Sequence, residues 1–396
     1  MASAGTTKTA MLCPVNLPAR AALAARLWES LMKSKSGTAR VKAADSTLFS
    51  AKMEAGQSLT RAMPLVLSMA ALVAMPSGPA VAACVQSGST VTCSGATNTG
   101  FGTGVENNLA LTVQPGASIT VGTAQTAINL GAGNTAVNNG AIDVGDSSVG
   151  MRGIDSNVFT NAGTMTLGDS AIGLYTVGIN NALSNTGTIS SAAQHVRGIV
   201  AHGSGGTVTN SGTITLTGTG SYGIAADVTG STISNSGTIT VGGGTGASGG
   251  VGVYLDASNN FTNTGTITAV GALGGGVLIW GDGNTMTNAG TISASQAISI
   301  VGNNTTIINN GMIKGGASLG SYLATTGTTI TNNGTLDGRM FLAGTGNSLT
   351  NAGLITITDP GTALSAYNLS FGGMFTQTAQ GTLALRVDNT GNYDGL

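Results

Sequence analysis

Apolar and polar positions alternate in short runs along most of this chain, and the runs themselves repeat. Between Thr207 and Val241 the sequence reads TVTNSGTITLTGTGSYGIAADVTGSTISNSGTITV, where VTNSGTITL returns as ISNSGTITV after 25 residues. Alternation of this kind marks half-buried β-strands. Relatives occur as VNNGAIDV, TNAGTMTL, SNTGTISS, TNTGTITA, TNAGTISA, INNGMIKG, TNNGTLDG and TNAGLITI, with their glycines at 140, 163, 187, 212, 237, 265, 290, 311, 334 and 353. TAQGTLALRV, around Gly381, is a degenerate eleventh copy without the asparagine. A second apolar segment lies between copies, as in GLYTVGI, GIVAHG, GIAADV and GVYLDA, and a third short strand precedes each asparagine, as in GGTVTN. Each unit of roughly 24 residues therefore reads as three short strands separated by Gly, Asn, Asp and Ser turns.

A fixed period in this range signals a stacked repeat, and it is too short for propeller blades. Without a leucine scaffold, three strands per turn give an all-β fold: a right-handed parallel β-helix of about eleven coils, its hand set by the rule for parallel crossovers. Period two places Val208, Asn210, Ile214 and Leu216 on one side and the threonines on the other. With that side inward, Asn138, Asn161, Asn185, Asn210, Asn235, Asn263, Asn288, Asn309, Asn332 and Asn351 form a column whose amides bond to one another, as in cross-β ladders. The competing placement puts these asparagines outside, capping turns. The glycine two residues on marks a bend where a Cβ would collide.

Composition adds a compartment. Only 7% of the 396 residues are charged and 64 are Gly, but hydrophobic content is 41%, which is not the profile of a disordered chain. Nine of the fourteen Lys and Arg lie at or before Arg61; five basic and twelve acidic residues follow, a net of −7. So acidic a body offers no phosphate-binding stripe, and nucleic acid is not an expected partner. The run LVLSMAALVAM, at 65–75, is too short to span a bilayer but suits the core of a secretory signal, with cleavage near Ala80–Ala83. Residues 1–61 are then a basic extension of the leader, or the start lies later at Met32 or Met53. Residues 62–83 are the signal core and cleavage region, 84–130 a cap with the first coils, and 131–396 the repeats.

Cys13 leaves with such a leader, and Cys84 and Cys93 remain in CVQSGSTVTC. A two-residue turn at Gly88-Ser89 pairs 87 with 90, 86 with 91, 85 with 92 and 84 with 93. The last is a non-hydrogen-bonded pair with Cα atoms roughly 4.5 Å apart, within reach of a disulfide. In the alternative, Val81-Ala82-Ala83-Cys84 is a lipobox and Cys84 is lipidated.

The repeat resembles the passenger domains of bacterial autotransporters, whose NxGTIT-type coils build long β-helices, and the resemblance runs from about Ala83 to the end. LALRVDNTGNYDGL, at 383–396, is similar to the segment that closes such passengers before the membrane barrel. The resemblance implies an exported passenger at the cell surface or outer membrane of a Gram-negative bacterium, with a barrel translocator that this chain does not contain. On that reading the chain is truncated or interrupted, and expressed alone it stops in the periplasm.

Candidate chemistry is sparse. Gly145-Asp146-Ser147 and Gly168-Asp169-Ser170 match the tripeptide of a nucleophile block, but each follows a repeat strand, where all three are turn residues. His195 and His202 lack neighbouring ligands for a metal. Gly244–Gly249 matches GxGxxG but leads into a strand. Asp155, Asp227, Asp256, Asp282 and Asp337 come singly, mostly in turns, with Arg152 and Arg197 nearby; Asp227 and Asp256 stand in matching places of successive coils. No catalytic, cofactor or metal site is assigned. The expected function is a non-enzymatic stalk or adhesin that contacts host cells, matrix or its own copies. The alternative is a β-helical polysaccharide lyase or hydrolase.

Intact mass of the exported chain tests the N-terminal reading. It should begin at Ala83 or Cys84 and be lighter by two hydrogens than the dithiol. A diacylated Cys84, or two free thiols, would contradict it.

Overall fold

The computed structural model describes residues 83–242, 249–319, 325–358, 369–387 and 394. The basic extension and all of the signal segment except Ala83 lie outside them, as does most of Gly244–Gly249. Every regular element among the described residues is a β-strand, and the strands form a parallel solenoid of about eleven turns.

Three sheets, here A, B and C, run along the solenoid, each taking one strand per coil. In sheet A, Thr207–Asn210 lies between Ala182–Asn185 and Thr232–Asn235, with Asn185, Asn210 and Asn235 in register. In sheet B, Thr213–Leu216 lies between Thr188–Ser191 and Thr238–Val241. In sheet C, Tyr222–Thr229 lies between Arg197–Ser204 and Val251–Leu255. Inward side chains fill the bore: Val208, Ile214, Leu216, Ile224 and Ala226 are all buried in one coil. Each large one contributes roughly 1.5–3 kcal/mol by leaving water. The threonines of TVTN and TITL alternate outward, so period two governs each strand.

The bend between sheets A and B explains the asparagine and the glycine together. The Asn185 carbonyl accepts two N–H bonds from the next coil, Ser211 at 2.9 Å and Gly212 at 3.0 Å. That draws the chain so close that a Cβ on Gly212 would lie 2.1 Å from the Gly187 oxygen. The Asn185 side chain points inward and donates through Nδ2 to Asn210 Oδ1 at 2.8 Å, and Asn210 donates to Asn235 at the same distance. The bonds run in one direction through Asn138, Asn161, Asn185, Asn210, Asn235, Asn263, Asn288, Asn309, Asn332 and Asn351. Gln377 accepts from the last. All ten amides are buried, and the spare Nδ2 hydrogen reaches a carbonyl, as from Asn138 to Thr164 at 3.1 Å.

A second polar column, which the repeat analysis does not anticipate, lines the corner between sheets C and A. It holds Asn134, Asn157, Asn181, Asn259, Asn284 and Asn347, all buried. Here the side chain bonds to the main chain: Asn157 Oδ1 accepts the Asn134 N–H at 2.9 Å, and Asn347 Oδ1 accepts that of Thr328 at 2.9 Å. Thr305 and Thr328 take two places in this column, and their buried Oγ1 atoms find no partner.

The first strand pair is antiparallel. Ala83–Ser87 and Thr90–Ser94 pair about Gly88 (φ 59°) with Cys84 opposite Cys93, joined as a disulfide. The Cα atoms are 3.8 Å apart, closer than the roughly 4.5 Å expected. Thr90–Ser94 already pairs in parallel with Ala110–Val113, so the parallel ladder of the solenoid begins at residue 90. In the loop that follows, Glu106 accepts N–H bonds from Thr103, Gly104 and Val105. Burial raises the Glu106 pKa, but the bonds from Thr103 and Gly104 outweigh it and hold the carboxyl below its ordinary value.

Two predictions follow from the columns. Asn210→Ala strands the Asn235 Oδ1 acceptor and one Asn185 hydrogen, and should destabilise by about 1–3 kcal/mol. Asn210→Asp should cost more, because it turns a carboxylate toward the acceptors Asn235 Oδ1 and Thr238 O. Urea unfolding measures both, and parent-like curves would place the amide in solvent. Thr328→Asn offers an Oδ1 to the preceding coil, as Asn347 does, and should gain about 0.5–1.5 kcal/mol. A loss in the same measurement would show that the corner cannot hold the larger side chain.

Candidate functional site

The two GDS tripeptides are corners of successive coils. Ser147 and Ser170 have left-handed φ of 54° and 55°, and His195 at 55° takes the same corner one coil on. Asp146 Oδ1 accepts the Asp169 N–H at 2.9 Å, and Asp169 Oδ1 accepts that of Gln194 at 3.1 Å. These carboxylates tie one turn to the next. Although the fold brings two serines and a histidine to one corner, no hydrogen bond joins His195 to either serine among the described residues. The other acidic residues divide. Asp155 and Asp282 bond to N–H groups of the coil above, Ile179 at 2.7 Å and Asn303 at 2.6 Å. Asp337 lies buried within the strand Thr335–Asn351. It accepts the Thr358 N–H at 2.7 Å, with Lys314 Nζ at 3.7 Å, so its neighbours there satisfy its charge.

Chemistry concentrates on the outer side of sheet C. On sheets A and B the outward positions are mostly Thr and Ser, whereas here they carry larger groups. Parallel register stacks Ile172, Arg197, Tyr222 and Val251 in one row, and Tyr175, Val200, Ala225, Tyr254 and Leu278 in another. A third row holds His202 and Asp227. Asp256 and Trp280 continue it, since each follows a residue paired in register (Leu255 with Ala226, Ile279 with Leu255).

Because Val200 and Ala225 are small, they sink between taller neighbours and floor a groove of about 270 Å³ lined by Arg197, Tyr222, Asp227 and Tyr254. Tyr222 and Tyr254 meet edge to face, their centroids 6.3 Å apart and planes 84° apart. The Arg197 guanidinium carbon lies 5.9 Å from the Tyr222 centroid. Among the described residues Arg197 makes no salt bridge. Asp227, in the opposite wall, has its Oδ2 3.0 Å from the Nδ1 of His202, both side chains being about half exposed. Burial, and then the carboxylates of Asp256 and Asp227, push the Tyr254 phenol above its ordinary value, so it stays neutral and keeps its proton to donate. A second hollow, sharing Arg197 and Tyr222, continues past His195, Leu273 and Gln296.

Such a groove can stack planar or apolar groups on tyrosine, bond polar ones at Arg197 and Asp227, and hold opposite charges at its two ends. No group of three or more His, Cys, Asp or Glu side chains placed to hold a metal ion occurs among the described residues. The Arg197, His202 and Asp227 of this wall were visible in the sequence as isolated residues. Their assembly was not, because Asp227 belongs to the coil after the one that carries Arg197 and His202, and lies 25 residues from its partner His202.

A family model described as the BigA third pectate lyase-like domain matches residues 51–301 of the chain. Among curated proteins no match is found.

Proposed function

The chain belongs to the family of the BigA third pectate lyase-like domain, and from that premise we propose that it is an exported β-helical passenger, a surface stalk or adhesin that presents its outer faces and does not catalyse. The observation that carries this reading is the division of labour among the sheets. Two faces are mostly Thr and Ser over an interior held by the asparagine column, while one face gathers aromatic and charged groups in an open groove. That suits display and contact. The two carboxylates of the groove, Asp227 and Asp256, stand in one row at one end of it, whereas acid–base hydrolysis of glycosides ordinarily uses a pair that flanks the scissile bond.

A second reading has its own support. Arg197 and Asp227 line one groove on the outside of a β-helix, with His202 hydrogen-bonded to Asp227, and the family's description contains the words pectate lyase-like. This is the alternative of a polysaccharide-active enzyme.

One experiment separates the two. The purified chain is incubated with polyuronate and neutral polysaccharides, with reducing-end release followed over time, and Asp227→Asn is run beside it. The display reading predicts no release above the buffer blank from either protein. Release by the parent that falls at least tenfold in Asp227→Asn would establish the enzyme reading instead.

A further inference from the structure

The groove on sheet C has opposite charges at its ends and aromatic rings between them. At one end stands Arg197, a guanidinium with no salt bridge among the described residues. At the other stand Asp227 and, one coil on, Asp256, with Trp280 next in the same row. Trp280 is 54% exposed, more than a core-forming residue would be. Tyr222 and Tyr254 form two perpendicular walls over the apolar floor of Val200 and Ala225.

Perpendicular aromatic faces near carboxylates attract cations through the ring quadrupole. The kind of cation follows from what the walls lack. A primary ammonium seeks three acceptors, whereas Asp227 already receives His202 and the floor is hydrocarbon. A quaternary ammonium needs no hydrogen bond and gains from both the rings and the floor. At the other end the guanidinium offers paired N–H donors to an oxyanion. It lies over the Tyr222 ring, 5.9 Å from the centroid, so an oxyanion on Arg197 and an ammonium group on the tyrosine pair can belong to one phosphate–ethylene–ammonium unit. An acidic sugar would meet the carboxylates of Asp227 and Asp256 at one end of the groove.

We propose that the outer groove of sheet C binds phosphocholine, with the trimethylammonium group against Tyr222 and Tyr254 beneath Asp227 and Asp256, and the phosphate on Arg197. The proposal gives the display protein a ligand without resting on the display role, since binding in solution reads neither export nor surface position. It also holds whether the phosphocholine is a soluble ester or a lipid headgroup.

Calorimetric titration of the full chain with phosphocholine tests it, with choline and inorganic phosphate as partial ligands. Phosphocholine should bind, and each part alone should bind at least tenfold more weakly. Tyr254→Ala and Arg197→Ala should each weaken binding about tenfold or more, while Tyr254→Phe, which keeps the ring, should bind like the parent. Circular dichroism checks that the variants keep the parent fold; if Tyr254→Ala does not, Arg197→Ala and Tyr254→Phe still decide. Cosedimentation with phosphatidylcholine vesicles, competed by free phosphocholine, identifies the lipid source. Phosphocholine binding without cosedimentation identifies the soluble one. No phosphocholine binding, equal binding by Arg197→Ala, or binding of uronate oligomers in its place would overturn the proposal.

Discussion

Everything in this solenoid depends on each coil handing its hydrogen bonds to the next in strict register. The strands of a parallel coil have no partner within that coil for their main-chain groups, so these point along the axis to the neighbouring coils. The asparagine column extends the same rule to side chains. Asn185 gives its Nδ2 hydrogen to Asn210 and Asn210 gives one to Asn235, each at 2.8 Å. A buried amide is costly when unpaired and useful when every neighbour supplies its complement. One slipped residue would move Val208, Asn210 and Ile214 to the outside together. The amide column therefore fixes register as well as adding bonds.

That constraint sets where variation is tolerated. The bend glycines cannot change, since a Cβ at Gly212 or Gly237 would meet the glycine oxygen of the preceding coil at 2.1 and 2.0 Å. Outside the polar columns the inward positions are mostly apolar, from Ala136 to Phe159 in one row. Outward positions answer to neither rule. On sheets A and B they are mostly Thr and Ser, which suit strands. On sheet C they are free to become Arg197, Tyr222, Asp227 and Tyr254, and chemistry collects there.

How much was legible in the sequence depends on whether a feature repeats. The three-strand coil and the bend glycine recur at nearly every period, so they could be read directly. Asn210 alternates with Val208 and Ile214, and the structure buries all three. The disulfide was legible for a different reason: Cys84 and Cys93 face each other across a two-residue turn, and local pairing needs no knowledge of the fold. The second polar column was present as the spacing Asn-x-x-x-Asn, as in NVFTN, NALSN and NSLTN. Period two puts both asparagines on one side, but the first of each pair follows a turn and reads as part of it. The groove had no such trace. Its residues differ from coil to coil, and only the stacked register brings Arg197 beside Tyr222 and His202 beside Asp227.

The most direct test of the central claim is the exchange of the asparagine side-chain amide protons with solvent, followed by NMR. If the column is a dry, continuous ladder, the Nδ2 hydrogens of residues such as Asn185, Asn210 and Asn235 should exchange as slowly as core main-chain amides, and those of the exposed Asn304 should exchange rapidly. Rapid exchange at Asn210 and its neighbours, in a protein whose main-chain amides remain protected, would contradict the account.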